Sequence, residues 1–287
     1  MSIKWKNFWL AFLPPILILA VQNIMALAGS GIVFGIKAVS FHGKNLTELY
    51  KSYTSTITSP AFSSVVLLIY AVIAIAIFAP WWSKKRVAFD SRRMSFRGFK
   101  PLLLIFGIIL FVVGAQVASN YLVNCLSALF PKELIKYSKI MKNAGLDRAG
   151  ATPVIIIYAG FVGPVAEEFA FRGLSLGYFK KSLPSFAAAN ILQALLFAVI
   201  HLNFIQGVYA FIIGLLLGYV AYRTGSLLLS MVLHICFNST SFILQILTPK
   251  AMNGGAFLAF AILVLSMMAV YAGIFMLIGS QPMAKEK

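Results

Sequence analysis

Long apolar runs separated by short polar segments dominate the pattern along this chain. A helix needs about 20 residues to cross a bilayer, and the first run is longer than that, which predicts either a tilted helix or a break near Gly29-Ser30-Gly31. The pattern predicts an all-α polytopic membrane bundle of about eight transmembrane helices, near residues 8–36, 59–82, 101–123, 152–179, 185–202, 205–222, 226–247 and 255–279.

Composition also indicates a membrane protein. Of the residues, 61% are hydrophobic and 11% are charged, whereas a soluble domain has about 25% charged residues. The net charge of +17 does not indicate nucleic acid, because the bases lie in short loops between the predicted spans. Anionic lipids are the expected partners of these loops. Cys125 and Cys236 are interpreted as small apolar residues, since two cysteines do not make a disulfide framework.

The distribution of Lys and Arg predicts the orientation. When the N-terminus is placed inside, the inside segments carry the larger share of the 24 bases, including a dense run between Lys84 and Lys100. An even number of spans returns the C-terminus to the same side. We therefore expect a multi-pass protein of the cell membrane with both termini in the cytoplasm, and the short loops favour a prokaryotic plasma membrane.

Four regions follow from these spans: the first three transmembrane helices (1–123), an interfacial amphipathic linker (124–150), a core of helices 4 to 7 (151–247), and the last helix with the tail (248–287). Within the linker, helical spacing places Leu134, Tyr137 and Met141 on one face and Lys132, Lys136 and Lys139 on another. A helix of this kind lies among lipid headgroups, and a substrate gate is the alternative interpretation.

Two adjacent acidic residues are the most informative local feature. Glu167 and Glu168 are the acids of this chain that fall within a predicted span, where an ionisable group costs roughly 2.5–3.5 kcal/mol. Arg172 follows Glu168 at i+4, in the favourable order for an ion pair. Glu167 lies about 100° further round the helix, so it is free to act as a base. The alternative is that both acids belong to a structural ion network.

A histidine of the fifth span is expected beside this pair. His201 forms the pattern Phe197-x-x-x-His201, and Glu167 and His201 are equally distant in sequence from Pro184 in the turn between spans 4 and 5. If helix 4 continues past Arg172, an antiparallel hairpin places Glu167 and His201 at equal depth.

The seventh span carries a second polar pair. His234 and Asn238 are spaced i, i+4, which places both on one face of the helix, and such a stripe is typical of a helix that faces a cavity. A hydrogen-bonded pair that only packs helices is the alternative. Counting from the span ends leaves His201 and His234 roughly 12 Å apart in depth, unless the turn before span 7 lies deep or the helices tilt.

These three patterns, Glu167-Glu168-x-x-x-Arg172, Phe197-x-x-x-His201 and His234-x-x-x-Asn238, occur in this order on successive hydrophobic helices. Together they resemble the motifs of the CPBP family (CAAX protease and bacteriocin-processing, or Abi) of intramembrane endopeptidases, which includes the type II CAAX prenyl endopeptidases. The resemblance covers about residues 150–245.

The resemblance implies a role for each motif residue. Glu167 would be the general base on water, His201 would orient that water, and His234 and Asn238 would donate hydrogen bonds to the oxyanion. Glu168, Arg172 and Phe197 would support them. Hydrocarbon excludes water, so we expect a cytosol-facing cavity.

Metal dependence stays open at this point. Glu167, His201 and His234 could together hold a zinc ion with an open fourth position. However, no His-Glu-x-x-His pair occurs, and asparagine is a poor zinc ligand. A glutamate mechanism without a cofactor uses the same residues.

The expected activity is hydrolysis of a membrane-anchored peptide or protein, whether a prenylated C-terminus, a bacteriocin or a signalling peptide. Two alternatives belong to other classes. One is a peptide-binding or bacteriocin-immunity membrane protein without catalysis. The other is a proton-coupled transporter, because buried glutamate and histidine also form proton relays.

Overall fold

The computed structural model of this protein describes residues 4–43, 45–85, 96–147, 151–247 and 256–281. Among these residues the regular elements are helices, as predicted for an all-α fold. In chain order they are α1 (Trp5–Leu10), α2 (Leu13–Val39), α3 (Leu46–Ile57), α4 (Pro60–Lys85), α5 (Pro101–Leu129), α6 (Pro131–Asn143), α7 (Pro153–Ile157), the π-helical segment π1 (Tyr158–Val162), α8 (Gly163–Glu168), the π-helical segment π2 (Phe169–Ser175), α9 (Leu176–Ser182), α10 (Phe186–Val199), α11 (Phe204–Thr224), α12 (Leu227–Leu247) and α13 (Ala256–Gly279).

Six helices of the described chain are long and apolar enough to cross a membrane, so the protein is a polytopic helical bundle. They are Trp5–Val39, Pro60–Lys84, Pro101–Leu129, Pro153–Ser182, Phe204–Thr224 and Leu258–Gly279. The other two of the eight predicted spans are shorter apolar helices, Phe186–Val199 and Leu227–Phe242. At 1.5 Å per residue, the 14 residues of α10 extend about 21 Å, less than the roughly 30 Å of hydrocarbon.

The first span is interrupted close to its beginning. α1 ends at Leu10, and α2 starts again at Leu13 with Pro14 and Pro15 in its first turn. Of the two alternatives for this span, the break near Gly29-Ser30-Gly31 was wrong, because α2 is continuous there. Proline lacks the N–H that a continuing helix requires, whereas glycine only lowers helix propensity.

Two boundaries differ from those of the hydropathy pattern. α5 runs to Leu129, past the predicted end at 123, so the predicted linker begins with the last turns of a long helix. The short polar helix α3 was not predicted, and Asn45 caps it by accepting a hydrogen bond from the Thr47 N–H at 2.8 Å.

Some predicted segments lie outside the described residues. They are residues 148–150 of the linker, residues 86–95 of the basic run, and the tail lysines.

One end of the bundle, here called the terminal end, gathers both ends of the described chain. The Lys100 N–H at the start of α5 donates to the Ser280 carbonyl beyond α13, at 2.7 Å. The Phe8 ring of α1 lies 5.6 Å from the Phe179 ring of α9. The chain therefore begins, and α13 ends, on the same side of the bundle.

The opposite end, here called the α6 end, carries α3, α6 and the connection from α10 to α11. Phe130, which precedes α6, packs edge-on against Phe204 at the start of α11, with ring centroids 5.0 Å apart. The Thr152 hydroxyl before α7 donates to the Ser64 hydroxyl of α4 at 3.4 Å. These contacts place α6 across the neighbouring helix ends.

Glycines bring α13 close to α5. A Cβ on Gly273 would lie 2.6 Å from the Phe111 backbone nitrogen, and one on Gly114 would lie 2.6 Å from the Ser266 carbonyl oxygen. Membrane helices associate through such small residues, because van der Waals packing replaces the hydrophobic effect in lipid. The last helix is therefore fixed to the outside of the bundle next to α5.

Candidate active site

The fourth span, Pro153–Ser182, changes its helical geometry twice around the two glutamates. α8 carries Glu167 and Glu168, and π1 and π2 flank it on either side. The span continues without a break to Ser182, which confirms that helix 4 passes Arg172. π-Helical turns are rare and occur frequently at functional sites. Hydropathy does not distinguish them from α-helix, so the sequence analysis missed them.

A proline and the seventh predicted span account for the geometry of π1. Pro164 has no N–H, so it cannot donate to the Gly160 carbonyl four residues earlier. The Ser239 hydroxyl donates to the Gly160 carbonyl instead, at 3.3 Å. The adjacent Asn238 donates from Nδ2 to the Ala159 carbonyl at 2.9 Å. Two side chains of α12 therefore bind the backbone of π1 and fix α12 beside α8.

Glu168 is the centre of a buried ion network. Its side chain is fully buried, and Arg172 Nη1 lies 2.8 Å from Oε1, which confirms the predicted ion pair. The Ser230 hydroxyl donates to Oε2 at 2.5 Å, and His234 donates from Nδ1 to Oε1 at 2.9 Å. Three partners therefore compensate the desolvation of this carboxylate.

The Arg172 guanidinium is as deeply buried as its partner. Its central carbon lies 4.4 Å from the centre of the Phe197 ring, an arrangement that favours a cation–π interaction. Within the described part of the chain its nitrogen atoms make no directed hydrogen bond. The charge is therefore compensated by the contact with Glu168 and the face of Phe197, which gives Phe197 a physical reason to accompany the ion pair.

Glu167 lies in a different environment from its neighbour. Its side chain is 14% exposed and faces a cavity, and its Oε2 lies 3.6 Å from His234 Nε2. The imidazole of His234 thus stands between the two glutamates, with Nδ1 on Glu168 and Nε2 towards Glu167. The helical spacing of about 100° between the two acids produces this division, as predicted.

His201 lies beyond the last turn of α10 and has a fixed ring. Its Nδ1 donates to the Phe197 carbonyl at 2.7 Å, and the Phe197 ring lies 5.0 Å from it edge-on. The Phe197 ring also lies 5.7 Å from that of His234. One aromatic side chain therefore separates Arg172 from the two histidines and contacts all three.

The predicted difference in depth between His201 and His234 disappears for a structural reason. Gly225, with φ of 57°, ends α11 in a left-handed turn, and Ser226 and Leu227 after it are fully buried. The turn before α12 therefore lies inside the bundle. Helix α12 starts deep, and His234 reaches the level of His201 after few residues.

A cavity of about 500 Å³ brings the four predicted catalytic residues together. Its lining includes Glu167, His201, His234 and Asn238, from α8, the end of α10 and α12. The predicted supporting residues divide around it: Phe197 lines the cavity, whereas Glu168 and Arg172 lie behind its wall.

The cavity also contains polar residues that the sequence analysis did not select. Gln116 of α5 is buried and donates from Nε2 to the Phe237 carbonyl at 2.8 Å. Tyr209 of α11 hydrogen-bonds Tyr137 of α6 through their hydroxyl groups. Burial raises the pKa of Tyr137, so its hydroxyl stays protonated and can donate. A lone glutamine in an apolar span was the available signal for Gln116, because a buried amide needs partners.

The position of the cavity conflicts with one pair of expectations. Tyr137 and Met141 of α6 line it, as does Gln206 in the first turn of α11, so the cavity lies at the α6 end. The first and last described residues lie at the other end. A cytoplasmic location of both termini and a cytosol-facing cavity therefore cannot both hold.

The three suggested metal ligands, Glu167, His201 and His234, line the same cavity. Among the described residues, no group of three or more His, Cys, Asp or Glu side chains is arranged to hold a metal ion. The Nδ1 contacts of His234 with Glu168 and of His201 with the Phe197 carbonyl leave Nε2 of each ring available. Metal dependence therefore stays a prediction that activity after chelation tests.

Comparison with known families agrees with this region of the chain. The family model described as type II CAAX prenyl endopeptidase Rce1-like matches residues 149–240, which include every motif residue named above. The long apolar helices make the chain a multi-pass membrane protein. The matched segment is similar to the CAAX prenyl endopeptidases, and this similarity supports membership of the CAAX protease and bacteriocin-processing family. No curated protein and no solved structure matches it.

Proposed function

We propose that this protein is an intramembrane endopeptidase in which Glu167 activates water to hydrolyse a peptide bond of a membrane-associated peptide or protein. The difference between the two adjacent glutamates carries this proposal. Glu168 has three protein partners and no exposed surface, whereas Glu167 lines the cavity and is partly exposed. A general base must reach the proton that it removes, and Glu167 meets this condition.

His201 orients the attacking water in this proposal. Because a carbonyl oxygen only accepts hydrogen bonds, the contact with Phe197 places the proton of the neutral ring on Nδ1. Nε2 then carries a lone pair and accepts a hydrogen bond from water. The water can donate its other hydrogen to Glu167, which fixes its oxygen towards a substrate carbonyl.

His234 and Asn238 stabilise the oxyanion. His234 keeps a proton on Nδ1 through Glu168, and in the protonated ring Nε2–H is a second donor that faces the cavity. Asn238 uses one amide N–H on the Ala159 carbonyl and retains the other. Donors that are fixed before the reaction are worth far more in a water-poor site than in bulk water.

The proposed steps conserve atoms and charge. Glu167 takes a proton from water while the water oxygen forms a bond to the carbonyl carbon, and the negative charge moves to the carbonyl oxygen near His234 and Asn238. The protonated Glu167 then gives its proton to the amide nitrogen as the C–N bond breaks. The products are a free carboxyl and a free amine, and Glu167 returns to its carboxylate form.

The test is the Glu167→Gln variant, which keeps the shape of the side chain and removes the base. We expect the loss of about 10²- to 10⁴-fold in cleavage rate that is typical of a removed general base. Its natural substrate should accumulate, so mass spectrometry of membrane peptides from cells that carry Glu167→Gln identifies what the wild type cleaves. Purified wild type should then cleave the identified peptide and retain activity after chelation.

The matched control is Glu168→Gln, which makes the same change one residue away. It should lower the free energy of unfolding, because Arg172 loses its charge partner, whereas Glu167→Gln should leave it nearly unchanged. Unchanged biological activity in Glu167→Gln would contradict the proposal and favour a peptide-binding or immunity protein. Loss of activity on chelation would instead assign the water activation to a metal.

A further inference from the structure

The cavity and the larger share of the described bases lie at opposite ends of the bundle, and this separation determines which peptides the site can reach. We propose that the active site opens on the non-cytoplasmic side of the membrane and cleaves peptides exposed there. Cleavage of such peptides rests on the proposed function. The side on which the cavity opens depends only on the fold and on the distribution of basic residues.

α5, α11 and the fourth span contribute to the cavity from the part nearer the α6 end. α5 supplies Gln116 and Asn120 from its later half, and α11 supplies Gln206 and Tyr209 from its first turns. α6, which does not cross the bundle, adds Tyr137 and Met141 from outside the spans. A water or peptide therefore reaches Glu167 from the α6 end.

The terminal end is closed behind the glutamates. Every residue of π2 is buried, including the Arg172 side chain. Further towards this end, Trp81 of α4 donates from its indole N–H to the Tyr178 hydroxyl of α9 at 3.0 Å. The buried ion pair and these aromatic contacts separate the cavity from the side on which the chain begins.

The terminal end also has the residues of a cytoplasmic interface. The Lys180 ammonium lies 4.3 Å from the centre of the Tyr222 ring, and Arg223 donates to the Tyr219 hydroxyl at 2.9 Å. Aromatic residues mark membrane interfaces, and an excess of Lys and Arg marks the cytoplasmic one. The described bases at this end include Lys4, Lys6, Lys84, Arg97, Lys100, Lys180, Lys181 and Arg223. In the sequence, Arg86, Arg92 and Arg93 stand between α4 and α5, and Lys285 and Lys287 follow α13.

The α6 end carries fewer bases, and they are less concentrated. The described ones are Lys37, Lys51, Lys132, Lys136, Lys139 and Lys142. Lys136 is paired with Glu133 at 2.6 Å. The positive-inside rule therefore places the α6 end, and the cavity with it, outside.

This orientation selects the substrate class. A lipid-modified C-terminus that remains in the cytoplasm does not reach a cavity on the other side. The suitable substrate is an exported peptide, or a membrane-anchored protein whose scissile bond lies at the non-cytoplasmic surface. The exposed lysines of α6, among them Lys139 and Lys142, border the cavity helix and favour a substrate with acidic residues near that surface.

Cysteine labelling tests the orientation without measuring cleavage. In full-length protein with Cys125→Ser and Cys236→Ser, single cysteines are introduced by Met141→Cys in the cavity, Lys139→Cys on the outer face of α6, and Lys84→Cys at the terminal end. Intact cells or spheroplasts are treated with a membrane-impermeant maleimide, and a parallel sample is permeabilised first. The same set in a Glu167→Gln background removes any effect of catalysis on expression.

We expect labelling of the Lys139→Cys and Met141→Cys variants in intact cells, and labelling of the Lys84→Cys variant only after permeabilisation. The reverse pattern would overturn the inference and place the cavity in the cytoplasm. Neither pattern depends on whether Glu167→Gln abolishes cleavage, so failure of the orientation and failure of the proposed function are separate results.

Discussion

The two halves of this bundle contain similar kinds of residue and use them in opposite ways. In the half towards the terminal end, here called the closed half, Arg172 and Glu168 are fully buried against each other. In the half towards the α6 end, Glu167 and His201 face a cavity. The comparison indicates that adjacent acidic residues inside a membrane protein can have different roles. Glu168 stabilises the fold through its ion pair, whereas Glu167 stays accessible from the cavity.

The largest expected effect is on the closed half. Arg172→Leu leaves Glu168 buried beside His234 and Ser230 without its cation, and breaking a buried ion pair typically costs about 3–5 kcal/mol. We expect a large drop in the unfolding temperature in detergent, with activity lost through misfolding. Thermal unfolding followed by tryptophan fluorescence measures it.

Removing both partners sharpens this result. The double variant Glu168→Gln with Arg172→Leu should recover part of the lost stability, because no unpaired charge remains. If the double variant were as unstable as the sum of the single variants, the ion pair would not be what stabilises the closed half.

The second prediction concerns the boundary between the halves. Asn238→Ala removes both the contact with the Ala159 carbonyl and the proposed oxyanion donor, and loss of such a donor costs about 10²- to 10³-fold in cleavage rate. The matched control is Ser239→Ala, which removes only the neighbouring contact with the Gly160 carbonyl. Ser239→Ala should change the rate by no more than a few-fold. Equal losses in the two variants would show that Asn238 acts only by holding π1.

The smallest effect is expected at the outer wall of the cavity. Tyr137→Phe removes the hydroxyl interaction with Tyr209, a net contribution of about 1 kcal/mol. If α6 holds the substrate in the cavity, KM should rise several-fold while kcat stays within two-fold. A fall in kcat at constant KM would instead place Tyr137 among the groups that act on the reacting bond.

The sequence was sufficient for much of this picture. Apolar runs located every long helix of the described chain, because a span satisfies its backbone internally and carries few charges. The pairing of Glu168 with Arg172 followed from i, i+4 spacing, and the approach of Glu167 to the cavity followed from the rotation between neighbouring residues. These are local relations within one helix, which a helical repeat determines.

Relations between helices were harder to predict. The sequence did not indicate that His234 would contact Glu168 as well as face Glu167, because that depends on the buried turn at Ser226, which starts α12 deep in the bundle. Nor did it predict π1, which depends on Pro164 meeting a hydroxyl and an amide from α12. Such features arise when two distant segments satisfy each other's backbone groups.

The brevity of α10 has a consequence for the lipid around the protein. Its outward stripe, Ala187, Ile191, Leu195 and Val199, is exposed and apolar, but the helix extends only about 21 Å before the chain turns at His201. A bilayer accommodates such a short helix by local thinning, which the 26-residue α4 does not require. Thinning next to α10 would bring headgroup water closer to His201 and to the cavity that it lines.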